Sequence, residues 1–438
     1  MEQAASPWLE RAGRTVNFAA MVMVPNAASA TNRLAVDLSL HGYGGMPNFS
    51  DTSCGPRIRL VPHDAESAYW WGSARLGDGG TPTSGLAPPY LHRRALSLLR
   101  FVLTRFHGDP ERVTVTGGSM GGAGAMTIGL MHARHFARVQ ANSGQAIPRL
   151  HRPGRITTQA RQWGSPASNL PAEDGGLGVW DEADLTRVLA ELPEARHQHL
   201  RLGYNKDDPT IHFGALTFAS PFTGRSLREA VRAEKVGSLI FWDESGHVFN
   251  PADPVLGSGW VDTGWNPITH PEAFLRRDLA FPAFTDSSLD EDPGDGGSNG
   301  LRSYNVNSGY AGTPSIAGDT GWNGAVAGAL NRFLRWDARA LVDTIDRFEL
   351  PLRLVDGTGA PAPQAGYPTL GDVLPAPGNA VVDVTPRRVS GFLLLPGEAV
   401  RWEFGAATGT ALADARGELT VPRLTVTTQW TTLRLTRL

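Results

Sequence analysis

The 438-residue chain reads as an α/β domain built on a largely parallel sheet, followed by a β-sandwich. Three observations predict this. Strand-like and helix-like segments alternate from residue 15 to about 250, the pattern of a parallel sheet with crossover helices. A β-branched run, Val113 to Thr116, enters a glycine cluster and then a small-residue helix. From about residue 345 the texture changes to short β runs separated by Gly, Pro and Asn, as in a sandwich. This draws boundaries at 1–280 for the α/β domain, 281–344 for an acidic, glycine-rich connector and 345–438 for the sandwich. Residues 145–195 break the alternation and read as an insertion near the site, such as a lid.

The elements follow in order. Residues 15–24 (TVNFAAMVMV), 33–40 (RLAVDLSL) and 57–62 (RIRLVP) are rich in β-branched and apolar residues and predict strands. Residues 92–106 place Leu96, Leu99, Val102 and Leu103 on one helical face. HGDPERVTVTG predicts a turn and a strand, residues 121–134 a helix, and FARVQANSG a further strand. The insertion carries an amphipathic DEADLTRVLAEL, after which HLRLGYN and VGSLIFWDESG restore the strand pattern. RFELPLRLVDG, NAVVDVTPRR, GFLLLPG, AVRWEFG, ELTVPRLTV and WTTLRLTRL are the β runs of the sandwich.

Composition excludes several classes of function. Apolar residues make up 41% and charged residues 19%, which is globular. The formal net charge is -3, the only lysines are Lys206 and Lys235, and the arginines are scattered, so no nucleic-acid surface is expected. No apolar run reaches the roughly 18 residues of a membrane span. Cys54 stands alone, so neither an intrachain disulfide nor a cysteine metal cluster can form. That fits a cytosolic protein, or a secreted bacterial enzyme large enough to need no covalent staples. The N-terminal MEQAASPWLERAGR has neither the basic nor the apolar region of an export signal.

The glycine cluster carries the chemistry. A serine hydroxyl is a weak nucleophile that needs a base, open access and donors for the oxyanion it creates. In Gly117-x-Ser119-x-Gly121, between strand and helix, the glycines permit a turn tight enough to expose Ser119. The Met120 N–H at the helix start is one candidate oxyanion donor. LHGYGG, residues 40–45, ends an upstream strand and supplies a second, the Tyr43 N–H, with Gly42 as the alternative. Among twelve histidines, His247 is singled out as the base by its loop after a strand, the preceding Gly246 and its position after Ser119. Asp208 is the preferred carboxylate over Asp207, because Ile211 follows it three residues on. Asp243 and Glu244 read as solvated charges.

LHGYGG, GDPERVTVTGGSMGG, GYNKDDPTI and SGH, in this order, resemble the α/β-hydrolase superfamily. The nearest resemblance is to poly(3-hydroxybutyrate) depolymerases and feruloyl or acetylxylan esterases, over about residues 15–250. The resemblance implies Ser119 as nucleophile, His247 as base, Asp208 as acid, and Tyr43 with Met120 as the oxyanion pair. It implies a serine carboxylic-ester hydrolase that needs no cofactor and works through an acyl-enzyme. Its substrate would be a polymeric or extracellular ester and its location extracellular, with a cytoplasmic enzyme the alternative. A peptidase or amidase on the same fold, and a non-catalytic binding protein, are the other readings. The chain departs from many secreted relatives in having no disulfide. The C-terminal segment resembles fibronectin type III modules in strand texture; a module of this kind could hold the enzyme on an insoluble polymer.

Weaker signals remain. Trp70 and Trp71, and Trp163 and Trp180 in the insertion, are candidates for substrate contact, with core packing the competing reading. Asp286, Asp290, Glu291, Asp292 and Asp295 are acidic enough for calcium, but their spacing is not that of an EF-hand, so a solvated loop is expected. His132 and His135 are expected on one helical face without a third ligand, so no catalytic metal is expected.

Overall fold

The computed structural model describes residues 19–50, 55–74, 80–206, 208, 210–243, 246–247, 252–253, 257–258, 267, 270–295, 323–325, 327–355 and 378–438. The first unit runs β1 (Ala20–Met23), β2 (Leu34–Leu40), β3 (Ile58–Pro62), α1 (Tyr90–Arg105), β4 (Gly108–Gly118), α2 (Met120–Met131), β5 (Arg138–Asn142), α3 (Pro153–Trp163), α4 (Val179–Glu182), α5 (Leu185–Glu191), β6 (His199–Asn205), α6 (Gly214–Thr217), α7 (Leu227–Ala233) and β7 (Gly237–Asp243). A two-residue ladder, β8 (Ala252–Asp253) and β9 (Gly257–Ser258), follows. Then come β10 (Phe281–Thr285), β11 (Gly328–Leu330), β12 (Leu334–Trp336), β13 (Val342–Asp343), β14 (Arg347–Leu354), β15 (Asn379–Arg387), β16 (Ala399–Phe404), β17 (Ala407–Leu412), β18 (Val421–Thr427) and β19 (Thr431–Arg437).

The main sheet has the order β1-β3-β2-β4-β5-β6-β7-β11. β3 through β7 pair in parallel, and the two edges, β1 and β11, are antiparallel. β5 and β6 are buried along their whole length, as inner strands covered on both faces must be. α2 is buried all round except at Met131, which explains its apolar, small-residue composition. It lies on β4 and β5 and under α5. α5 also packs on α7, and Leu185, Val188 and Leu189 are fully buried. α5 is therefore a layer of the core rather than a lid. Its amphipathic period reports burial against α2 and α7.

The opposite face of the sheet is polar. Asp37 and Thr114, Ser39 and Thr116, Thr114 and Arg138, Thr116 and Gln140, and Gln140 and Arg201 are cross-strand partners, so their side chains share one face. The short 3₁₀ turn Pro271–Phe274 covers part of it. Its Glu272 pairs with Arg201 at 3.1 Å with both side chains out of water, and Arg57 donates to the Ala273 carbonyl at 3.1 Å.

The second unit is two antiparallel sheets around one core. One sheet is β10-β15-β18, and the other is β12-β14-β19-β16-β17 with β13 on β14. Phe348, Leu350, Leu352 and Leu354 of β14 face Ala380, Val382 and Val384 of β15 within this core. The strict alternation of buried and partly exposed residues in β14 is what a one-sided sheet requires. Three corrections follow. The 281–344 segment is not a mere connector: β10 and β12 complete the two sandwich sheets, and β11 closes the main sheet against β7. GFLLLPG forms no strand, and its Leu393 and Leu395 are exposed. β17, an edge strand poor in large apolar residues, carried too little period to be anticipated.

The sandwich is fastened to the edge of the main sheet from which the parallel strands start. Arg387 donates to the carbonyls of Glu234 and Lys235, at 2.5 and 2.6 Å, just before β7. Arg388 donates to His197 O at 2.7 Å, ahead of β6, and to Ala137 O at 2.6 Å, ahead of β5. Its guanidinium also lies 4.9 Å from the Phe281 ring centroid.

Four histidines, His92, His151, His199 and His212, are sealed inside as neutral rings, and a fifth, His132, is partly buried. Burial pushes His132 down to about 4, and His151 and His212 down to about 3, while His92 and His199 are also lowered. A lowered folded value means the unfolded chain takes up protons that the folded one refuses. The stabilisation is complete above the ordinary histidine value, about 6.5, and is lost as pH falls below it. Thermal melts followed by circular dichroism should give a clearly lower Tm at about pH 5 than at about pH 7.5, where most carboxylates are ionised in both cases. Equal Tm values would contradict the neutral, buried state of these rings.

Candidate active site

Ser119 sits between the end of β4 and the first residue of α2 with φ 57° and ψ −124°, an uncommon conformation for a residue with a side chain. Two neighbours explain why that turn needs glycine. A Cβ on Gly117 would meet Gly121 O at 2.1 Å, and one on Gly121 would meet Leu40 O at 2.1 Å. The turn is thus pressed against its own helix and against the end of β2. The Ser119 N–H donates to Asn142 O at 2.9 Å, tying the turn to β5.

The structure brings Ser119, His247 and Asp208 together. His247 Nε2 lies 3.1 Å from Ser119 Oγ, and His247 Nδ1 lies 2.7 Å from Asp208 Oδ2. These residues come from the ends of three parallel strands, β4, β6 and β7. The Asp208 side chain is fully buried and that of His247 is 21% exposed. Asp208 is held by its own turn: Oδ1 accepts the N–H groups of Thr210 at 2.7 Å and Ile211 at 2.9 Å. This is the physical content of the spacing between Asp208 and Ile211. Arg152, at the start of α3, donates to the Asp208 carbonyl. A carboxylate that fixes one imidazole nitrogen leaves the other free to take a hydroxyl proton.

Met120 opens α2, so its N–H has no carbonyl one turn back within the helix. Tyr43 lies in the turn after β2, where Gly45 N–H donates to Gly42 O at 3.0 Å, and half of its surface (51%) is exposed. His41, Asp64 and Ser67 hold that turn, and sequence reasoning missed all three. The Asp64 N–H donates to His41 Nε2 at 2.9 Å, so the proton sits on Nδ1 and is donated to Gly42 O at 2.8 Å. Burial lowers His41 and keeps the ring neutral, as this pattern requires. Ser67 Oγ accepts the Gly44 N–H at 3.0 Å. A histidine directly before a Gly-rich turn was the available signal.

The four tryptophans are corrected to core residues. Trp70, Trp71, Trp163 and Trp180 are 0–2% exposed. Trp163 packs on Trp180 at 5.4 Å and on Trp71 at 5.9 Å between ring centroids, and Trp70 donates its indole N–H to His41 O at 3.0 Å. They underlie the site without surface for a substrate. His132 and His135 do not share a helical face, because α2 ends at Met131; His132 instead faces His92, nitrogen to nitrogen, at 3.2 Å. The acidic residues at 286–295 are divided among other partners: Asp286 pairs with Arg232, Asp292 with Arg228, Glu291 with Arg332, Asp290 accepts Asn331 N–H and Asp295 accepts from Asn323. Among the described residues no group of three His, Cys, Asp or Glu side chains could hold a metal ion, and no helix is long and apolar enough to cross a membrane. Asp207 and Glu244 lie outside the described residues. The Asp243 carboxylate accepts from Asn205 at 3.0 Å.

A family model described as "Putative esterase" matches residues 79–238, a span that holds Ser119 and Asp208 and ends before His247. No curated protein matches the chain. Among solved structures, an S-formylglutathione hydrolase from Agrobacterium tumefaciens is 17% identical, covering 53% of this chain and 83% of its own, with a TM-score of 0.35. A ferulic acid esterase is 17% identical over 54% of this chain and 87% of its own, TM-score 0.36. A fluorophosphonate-binding serine hydrolase of Staphylococcus aureus is 16% identical over 52% and 86%, TM-score 0.35. Likeness this remote carries no argument about substrate. The esterase match spans the strand, turn and helix that present Ser119, with the imidazole and carboxylate in register behind it. The chain is an enzyme of the serine-hydrolase type.

Proposed function

We propose that the protein is a carboxylic-ester hydrolase working through an acyl-enzyme on Ser119. The relay of Ser119, His247 and Asp208 carries this reading. Ser119 Oγ attacks the ester carbonyl as His247 Nε2 takes its proton. Asp208 holds the Nδ1–H tautomer and stabilises the imidazolium. The Met120 and Tyr43 N–H groups receive the oxyanion. His247 then protonates the departing alcohol, and water, activated by the same imidazole, releases the acid. Comparing turnover of a p-nitrophenyl ester with that of the matching p-nitroanilide tests the ester assignment against an amidase. Faster anilide hydrolysis would overturn it.

The finer reading is a polymeric or macromolecular ester. It is supported by the exposed apolar loop after β2, where Tyr43, Met46 and Phe49 are 51%, 69% and 65% exposed. Polyester films and feruloylated or acetylated xylan, assayed beside soluble esters of rising chain length, decide it.

Asp208→Asn should lower kcat by about 10⁴, because an amide N–H facing Nδ1 selects the wrong imidazole tautomer. Asp207→Asn should have a far smaller effect. Steady-state kinetics of both variants check the ranking, and the reverse order would move the acid to Asp207.

A further inference from the structure

Arg155 stands in the first turn of α3, the helix whose start meets the Asp208 carbonyl. Arg152, one turn earlier, is bonded to the Asp208 carbonyl. The Arg155 guanidinium carbon lies 5.9 Å from the centroid of the Tyr43 ring, in the turn that offers an oxyanion donor. Tyr69 lies on the other side, its ring 6.3 Å from that of Tyr43.

Elsewhere in the molecule several buried arginines are matched by carboxylates, while Arg138 is buried with no hydrogen-bond partner on its guanidinium among the described residues. Arg201 pairs with Glu272, Arg332 with Glu291 and Arg387 with Glu418. Arg155 is half-buried, yet among the described residues no carboxylate and no side-chain hydrogen bond engages its guanidinium; its partner is the Tyr43 ring. A guanidinium stacked against a ring keeps its in-plane N–H groups available, and that planar fork matches a carboxylate. Holding a cation partly out of water without an anion is unfavourable unless a ligand supplies one.

We propose that Arg155 is a specificity residue that binds a carboxylate carried by the acyl or alcohol part of the ester, and that the natural substrates are anionic esters. This rests on the ester-hydrolase reading of Ser119. The apolar surface of Tyr43 would hold the carbon chain between the scissile bond and the carboxylate.

Two pairs of substrates that differ in charge and little in shape test it. For the acyl side the pair is mono-p-nitrophenyl glutarate and p-nitrophenyl 5-methylhexanoate. For the alcohol side it is 4-carboxyphenyl acetate and 4-carbamoylphenyl acetate. In at least one pair, kcat/KM for the anionic member should exceed that of the neutral one by about 10- to 100-fold, the range for a hydrogen bond to a charged group. Arg155→Gln should bring that ratio close to one, mainly through KM, and Arg155→Lys should leave an intermediate ratio because it keeps the charge and loses the fork. High NaCl should shrink the wild-type ratio, a readout that needs no variant. A wild-type ratio near one in both pairs, or a ratio that survives Arg155→Gln, overturns the proposal. Failure of the wild-type enzyme to hydrolyse any of the four esters would instead refute the ester-hydrolase reading.

Discussion

Ser119→Ala should lower kcat on a soluble ester by about 10⁴ to 10⁶, the usual cost of removing one member of such a relay, and should leave the fold intact. The side chain contributes one contact to the relay, at 3.1 Å to His247 Nε2. Its backbone is set by the close approach of Gly121 to Leu40 and by the bond to Asn142 O, neither of which involves the hydroxyl. Alanine carries the same Cβ at φ 57° and suffers the same strain, so the melting temperature should barely move. Ser119→Gly should be equally inactive but more stable, because glycine adopts a positive φ without that strain. A fluorophosphonate probe should label the wild-type enzyme and neither variant. If the alanine variant keeps more than about a tenth of the activity, the nucleophile lies elsewhere.

The parts of the fold legible in the sequence are those whose local pattern and tertiary environment agree. β4, its turn and α2 announce themselves because β-branched residues, glycines and small apolar residues each serve one local need. The residues picked out at 119, 208 and 247 were legible for the same reason: a turn, a carboxylate with its own Asx-type spacing, and a histidine after a strand. The errors came where environment decides. Trp163 and Trp180 could have faced a substrate or a core, and only the aromatic stack they form with Trp71 settles which. The 145–195 segment looked like an insertion because it breaks the alternation of strands and helices, yet α5 buries its apolar face on α2 and α7. β11 and β12 are three residues each, too short to show a period. Their partners, β7 and β14, lie in different units. His41 left only the faint signal of a histidine before a Gly-rich turn, because its role depends on a tautomer set by the Asp64 N–H, and Arg155 left none, because its place beside the Tyr43 ring is set by the tertiary fold.

A chain ending at residue 340 should fail to fold, and the reason is the path of the backbone. It enters the sandwich at β10, returns to the main sheet as β11 and enters the sandwich again at β12. Truncation would remove β14 and β15, which pair with β12 and β10, and uncover Phe281, Phe284, Phe333, Leu334 and Trp336 on their sandwich side, with Phe281 and Trp336 keeping their contact with His199; all are now 0–5% exposed. Exposing five large apolar side chains costs at most about 2 kcal/mol each, or at most about 10 kcal/mol, comparable with the whole stability of an ordinary domain, about 5–15 kcal/mol. The Arg387 and Arg388 bonds to the carbonyls ahead of β5, β6 and β7 would go as well. The sandwich is fastened where the parallel strands begin, while Ser119, Asp208 and His247 stand where they end. Seven residues of β6 at about 3.3 Å each separate the two ends by about 20 Å. A module placed there is poorly sited to lay a polymer across Ser119 and well sited to close the open edge of the core. The truncated chain should therefore be insoluble or melt without cooperativity, losing soluble-ester activity along with polymer hydrolysis. A soluble truncation with a cooperative melt and unchanged kcat/KM on soluble esters would show instead that the sandwich is an independent module. Selective loss of action on a solid substrate would then make it a polymer-holding one.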